Sequence, residues 1–160
     1  MIDHRGAVNT ILDINRRFEI NSQDRVLALS ALNFDLSVYD IFGVLAAGGT
    51  IVMPSPDKRR DPSHWSELLT LHHVSIWNTV PALMQMLVEY ETIHSIKSAL
   101  RLIMMSGDWI PLDMPQKIQR IFTDASMVSL GGATESSIWS IYYPIKQLTL
   151  PGRVYHMANH

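Results

Sequence analysis

There is no cysteine in the 160 residues. That excludes a disulfide framework and any cysteine-based metal site, and a reducing, cytoplasmic setting is expected. No stretch reaches the roughly 20 apolar residues needed to cross a bilayer, so no membrane partner is expected. Met1-Ile2-Asp3-His4-Arg5 lacks the basic start and apolar core of a secretory signal. Neither sign of charge dominates: 13 Lys and Arg stand against 15 Asp and Glu, a net charge of -2. Without a basic excess, nucleic acid is not an expected partner. G-x-G-x-x-G and G-x-x-x-x-G-K-S/T are both missing, which removes the common dinucleotide and P-loop fingerprints. The seven histidines show no H-E-x-x-H or similar metal spacing, and no serine sits in a G-x-S-x-G elbow. There is no internal repeat, no low-complexity segment and no clear internal boundary.

What remains is 47% hydrophobic residues in a chain the size of one globular domain. The stretch Asn33-Phe34-Asp35-Leu36-Ser37-Val38-Tyr39-Asp40 organises it. The run Val26 to Leu32 before it reads as a buried strand. After it, Leu36, Val38, Tyr39, Ile41, Phe42, Val44 and Leu45 suit a helix ending at Gly48-Gly49. Asp35 therefore lies where a buried strand turns into a helix, the usual ligand position in an open α/β sheet. The same position suits an aspartate that only caps the helix.

Strand and helix alternate elsewhere too. His4 to Phe18 reads as a helix with Val8, Ile11, Leu12, Ile14 and Phe18 on one side. Thr50 to Met53 is a short strand, and Lys58-Arg59-Arg60 belongs to a solvated loop. Asp61-Pro62 opens a helix that His72-His73 close. Val74 to Thr79 and Leu100 to Met105 read as strands, with helices opening at Pro81 and Pro111. Met127 to Leu130 is a strand, and Ile138 to Tyr143 the last one. The nine methionines read as core filler. This alternation predicts an α/β fold, a mainly parallel sheet with helices on both faces.

Several strands end in small or polar residues: Asn33-Phe34-Asp35, Asn78-Thr79, Ser106-Gly107-Asp108 and Leu130-Gly131-Gly132-Ala133-Thr134-Glu135. In a parallel sheet these ends converge on one edge. The last could hold phosphate through Thr134 and Mg²⁺ through Glu135, or be a glycine turn followed by a helix start.

These residues resemble an adenylation domain of the nonribosomal peptide synthetases, within the adenylate-forming superfamily. Asn33 to Asp40 resembles that family's F-D-x-S-V-x-D motif, and Leu130 to Glu135 its N-x-Y-G-P-T-E motif. Met1 to Asn9 resembles the segment after its phosphate-binding loop, and Ala47 to Met53 its A-G-G-T-x-V-x strand. The match runs from about Met1 to Pro144, with both motifs in order and at the right separation. It implies a subdomain of the adenylate-forming fold. It also implies a reaction: amino acid and Mg-ATP give an aminoacyl adenylate, whose acyl group passes to the phosphopantetheine arm of a partner carrier domain. Asp35 would then hold the substrate ammonium, Thr134 would contact phosphate and Glu135 would bind Mg²⁺. Gly107, Leu130, Gly131 and Gly132 would line the adenine pocket. The side-chain pocket carried over from the family is Asp35, Leu36, Tyr39, Asn78, Met104, Ser106, Leu130, Ile138 and Trp139. That series resembles cysteine-activating domains, including those of siderophore synthetases.

The chain also departs from the family. The aromatic residue expected against adenine falls at Gly131, the proline at Ala133 and the motif's first asparagine at Ser129. Pro151 to His160 matches only loosely. The phosphate loop expected before Met1, and the ribose-binding Asp and catalytic Lys expected beyond His160, lie outside the chain. The expectation is a single subdomain, residues 1–160, excised from a larger enzyme and inactive alone. Its newly exposed surface would favour a non-native dimer. The alternatives are a non-catalytic module that binds a nucleotide or an amino acid, and a plain structural α/β domain.

Overall fold

The computed structural model describes residues 3–132 and 137–146. Its helices start where local chemistry starts them. The Asp3 carboxylate accepts the Gly6 N–H at 3.0 Å at the head of α1 (His4–Arg17), and Arg16 and Arg17 complement the other end. Asp61 accepts the Ser63 N–H at 2.9 Å, and Pro62 opens α4 (Pro62–Leu71). Between them lie β1 (Arg25–Leu27), the short α2 (Leu36–Val38), one π-helical turn (Tyr39–Gly43), α3 (Val44–Ala46) and β2 (Thr50–Val52). After α4 come β3 (Ile76–Thr79), α5 (Pro81–Glu91), β4 (Leu102–Met105), α6 (Met114–Ile121), β5 (Ser126–Gly131) and β6 (Ile141–Ile145).

The six strands lie in the order β2-β1-β3-β4-β5-β6. The first five are parallel, and β6 runs antiparallel to β5. Side chains alternate across the sheet, so each strand feeds two cores. Trp77, Ile103, Met105 and Met127 face one side with Trp65, Leu69, Leu87 and Ile118 from α4, α5 and α6. Ile76, Leu102, Met104, Val128 and Leu130 face the other, under Ile11, Ile14, Leu36, Tyr39 and Val44. Helices cover both faces, as the alternation predicts.

Several expected elements are shorter, for identifiable reasons. The run Val26 to Leu32 is a strand only as far as Leu27. The Leu29 N–H turns back onto the Leu27 carbonyl at 3.1 Å, and Leu32 ends exposed. The expected helix ending at Gly48-Gly49 is present and continuous from Leu36 to Ala46, but widens to a π-helical turn over Tyr39–Gly43. The Pro111 helix begins instead at Met114, with Pro115 in its first turn. The last strand starts at Ile141 rather than Ile138. Ser137 and Ile138 have φ of 63° and 72°, a region that β-branched residues rarely enter, and this kink precedes the strand.

The opposite, amino-terminal edge of the sheet is tied by one carboxylate. Asp24 is buried. It accepts Arg101 Nε at 2.8 Å and Nη2 at 2.6 Å, the Ser75 hydroxyl at 2.8 Å and the Asn21 N–H at 2.9 Å. Arg101 also donates to the Phe18 and Glu19 carbonyls. The end of α1 and the residues just before β1, β3 and β4 are thereby fastened together. No helix among the described residues is long and apolar enough to cross a membrane.

Candidate functional site

The strand order reverses direction between β1 and β3, since β2 lies beyond β1 and β4 beyond β3. Parallel sheets bind ligands outside the carboxyl ends of their strands at such a switch point. The chain leaving β1 there is the Asn33 to Asp40 stretch, and the residue it meets on β3 is Asn78. The Asn78 amide donates to the Leu36 carbonyl at 3.4 Å and to Asp40 Oδ1 at 2.9 Å.

Asp35 stands at the head of α2, half-buried, and makes no capping hydrogen bond. Ser37 closes the turn instead, its hydroxyl donating to the Phe34 carbonyl at 2.7 Å. The capping alternative for Asp35 therefore fails, and its carboxylate is left without a hydrogen-bond partner among the described residues. The remaining eight residues carried over for the side-chain pocket are all buried. Leu36, Tyr39, Met104, Leu130, Ile138 and Trp139 belong to the same core. Asn78 is paired in register with Met104, next to it on the sheet. Ile138 and Trp139 are consecutive, and a strand would point them to opposite faces. The positive-φ kink at Ile138 lets both enter one cluster.

The polar groups of this cluster are mostly engaged. The Tyr39 hydroxyl donates to Asn15 Oδ1 at 2.8 Å, and Asn15 Nδ2 donates to the Gly43 carbonyl at 2.9 Å. Burial raises the Tyr39 hydroxyl well above its ordinary value, helped by Asp24 and Asp40. Trp139 packs on Tyr39 with ring centroids 5.3 Å apart and donates Nε1–H to the Ser106 hydroxyl at 3.1 Å. The Tyr39 hydroxyl proton and the Ser106 hydroxyl oxygen are thus already engaged inside the chain. Asn15 escapes sequence reading, although a polar residue between Ile11, Ile14 and Phe18 on the buried stripe was its signal. Gly43 also escaped. A Cβ there would lie 2.5 Å from the Tyr39 ring, so only glycine admits that ring.

Asp40 is 1% exposed. Its burial pushes the carboxyl up to about 7, against the pull of Asn78 and of the nearby Ser30 amide and hydroxyl. Ser30 lies close enough to favour the anion, yet Oδ2 has no partner in hydrogen-bonding geometry.

The residues assigned to adenine sit at the rim of the same edge. Gly107, with φ of 84°, follows β4 between Val80 and Phe34. Among the described residues a Cβ on Gly131 would meet nothing within 4 Å, so they leave the backbone there uncovered. Thr134 and Glu135 lie outside the described residues. Among the described residues no cluster of three His, Asp or Glu could hold a metal. A separate cleft of about 350 Å³ lies between α1 and β6, reached by Gly6, Asp13 and Arg17, and shares only Leu130 and Trp139 with the nine pocket residues.

The family model described as "AMP-binding enzyme" matches residues 1–157. The chain is similar to the anguibactin system regulator of Vibrio anguillarum, 53% identical over 155 residues, which cover 96% of the chain and 15% of that protein. It is also similar to pyochelin synthetase PchF of Pseudomonas aeruginosa, 48% identical over 149 residues, 91% of the chain and 8% of the synthetase. Among solved structures it resembles the nonribosomal peptide synthetase FmoA3 in its AMPPNP-bound form. There the TM-score is 0.85 at 43% identity, over 91% of this chain and 16% of the other. The chain thus spans about a sixth or less of these relatives. With sheet, switch point and match in agreement, the chain belongs to the AMP-binding enzyme family, in the branch of nonribosomal peptide synthetase adenylation domains.

Proposed function

We propose that the chain is the amino-acid half-site of an adenylation domain that activates L-cysteine in siderophore-type peptide synthesis in the cytoplasm. Residues 1–160 would be one subdomain of that larger enzyme. The observation that carries this reading is the convergence of eight buried pocket residues beneath one unpartnered carboxylate, Asp35, at the switch point.

Asp35 offers a fixed negative charge to the substrate ammonium. ATP supplies the phosphorus that the substrate carboxylate attacks, with pyrophosphate leaving. Gly107, Leu130, Gly131 and Gly132 would line the adenine pocket, with Gly131 leaving backbone uncovered by the described residues. Thr134 and Glu135 are the phosphate and Mg²⁺ contacts of the same reading, and a phosphopantetheine carrier domain receives the acyl group. Leu36, Met104, Leu130, Ile138 and Trp139 make an apolar wall. A thiol behaves as a small hydrophobe and a weak donor, which suits that wall. A serine hydroxyl left unpaired there loses about 1–3 kcal/mol. The exposed apolar side chains Val8, Leu12, Phe42 and Leu45 fit a surface that the rest of a larger domain covers, and alone would favour self-association.

The test is ATP–pyrophosphate exchange by the full-length protein that carries this chain, with cysteine, serine, alanine and valine side by side. Cysteine is expected to give the highest kcat/KM. A serine value equal to it or above it overturns the assignment, as does a best substrate that is aromatic or charged. Asp35→Ala is expected to lower kcat/KM more than tenfold, about 1.4 kcal/mol. A smaller loss removes Asp35 from ammonium binding.

A further inference from the structure

Two buried acceptors in this site have no hydrogen-bond partner: Asp40 Oδ2 and Asn78 Oδ1. They belong to two residues already joined by one hydrogen bond, Asn78 Nδ2 to Asp40 Oδ1 at 2.9 Å. The orientation of the amide is fixed independently. The Leu36 carbonyl can only accept, so Nδ2 must face it and Oδ1 must be the other end. Two separately orphaned acceptors would each carry a desolvation cost, and an ionised Asp40 would add a buried charge. One proton on Asp40 Oδ2, donated to Asn78 Oδ1, satisfies both at once. Such a pair would be cyclic, with two parallel hydrogen bonds, the way a carboxylic acid and a primary amide associate.

We propose that Asp40 is a positioning residue for substrate selection, closing Asn78 into a neutral carboxylic acid–amide pair that removes Asn78 from substrate hydrogen bonding. The proposal rests on the reading of this cluster as the side-chain pocket. Asn78 alone would be the most polar surface in that pocket, and it would welcome a hydroxyl. Once paired, both Nδ2 hydrogens and Oδ1 are engaged, and the pocket is apolar despite containing an asparagine. Asp40 also adds no second negative charge to compete with Asp35 for the ammonium.

The surroundings support a neutral acid. Ser30 and Asn78 are the polar groups that act on the Asp40 carboxyl, and burial outweighs both of them. From the elements around it, the titratable and charged groups are Tyr39 in the same turn, Asp35 in the preceding one, and the Asp24–Arg101 pair at the far edge of the sheet. Tyr39 is bonded to Asn15, Asp24 to Arg101, and none of these groups hydrogen-bonds Asp40.

The experiment compares wild type, Asp40→Asn and Asp40→Ala in the full-length protein that carries this chain. An amide at position 40 can accept from Asn78 Nδ2 and donate to Asn78 Oδ1, so Asp40→Asn rebuilds the pair without a titratable proton. Its KM for cysteine is expected within twofold of wild type at pH 6, with the same preference over serine. Asp40→Ala frees Asn78, and its cysteine-to-serine preference is expected to fall at least fivefold. Wild-type KM is expected to rise between pH 6 and 9 relative to Asp40→Asn, since ionisation of the substrate thiol and ammonium is common to both. The infrared spectrum of the wild type at pH 6 should hold a carboxylic-acid C=O band that Asp40→Asn lacks and that pH 9 removes. An Asp40→Asn enzyme as impaired as Asp40→Ala, or a missing band, overturns the proposal. A protein that activates no amino acid overturns the reading of the pocket, and the infrared band then decides the pair by itself.

Discussion

Removing the Asp24 carboxylate should unfasten the amino-terminal edge of the sheet while leaving the site edge untouched. Asp24→Ala deletes four hydrogen bonds, two of them to a guanidinium. Deleting one partner of a buried ion pair costs roughly 3–5 kcal/mol, because the other charge is left uncompensated. Here the Arg101 side chain is 39% exposed and retains the Phe18 and Glu19 carbonyls. Water and those carbonyls soften the loss, so the low end applies, about 3 kcal/mol. With a urea dependence of about 2 kcal/mol per molar, the midpoint should fall by about 1.5 M. The assay is urea unfolding of the chain followed by tryptophan fluorescence at pH 7. Adding Arg101→Ala should cost less in the Asp24→Ala background than in the wild type, a coupling of about 1–2 kcal/mol. The pH dependence has a definite sign. Burial pushes the Asp24 carboxyl up, but Arg101, the Asn21 N–H and Ser75 together hold it below the ordinary carboxylate value. Its stabilisation is therefore present above the unfolded value and disappears as pH falls through the lower folded one. A midpoint shift under about 0.5 M, or no coupling to Arg101, would refute the clasp.

Asp40 carries the opposite sign. Its carboxyl is raised from 3.8 to about 7, so its contribution is complete below the unfolded value and is lost as pH rises through the folded one. That difference corresponds to up to about 4 kcal/mol, and wild type should lose stability relative to Asp40→Asn between pH 4 and 7; parallel profiles would contradict it. Gly43→Ala would press a methyl into the Tyr39 ring, and calorimetry should show a loss of about 1–3 kcal/mol. Ser106→Ala removes the acceptor of the Trp139 indole N–H, and should cost about 1–3 kcal/mol in the same assay, with a shifted tryptophan emission.

The alternation of apolar strands with amphipathic helices was sufficient for the parallel sheet, because each buried strand needs helices on both of its faces. The polar strand ends were sufficient to bring Asn78, Ser106 and Gly131 to one edge of the sheet. Strand lengths were not legible, since the Leu29 turn interrupts a mostly apolar run that continues to Leu32. The π-helical turn was not legible either. It depends on a three-dimensional fit between the Tyr39 ring and a bare Gly43, which no periodicity encodes. Asn15 shows a related limit. Its position on a buried stripe marks it as unusual, but its partners Tyr39 and Gly43 are distant in sequence.

Asp35 and Asp40 belong to one short motif and have opposite fates. Asp35 lies at the head of α2 and Asp40 in the π-helical turn that follows, and the two side chains have different surroundings. Asp35 stands at the head of α2 with its carboxylate unpartnered, whereas Asp40 is turned inward against β3 and is almost fully covered. A buried carboxylate without a cation favours its neutral form. The Asp40 carboxyl has only neutral hydrogen-bonding neighbours, Asn78 and Ser30, and Arg101 is held by Asp24 at the other edge. The motif therefore holds one carboxylate without a partner at the head of α2 and one neutral hydrogen-bonding group against β3. Exchanging the two environments would need a cation near Asp40, and the strand ends at the switch point supply none among the described residues.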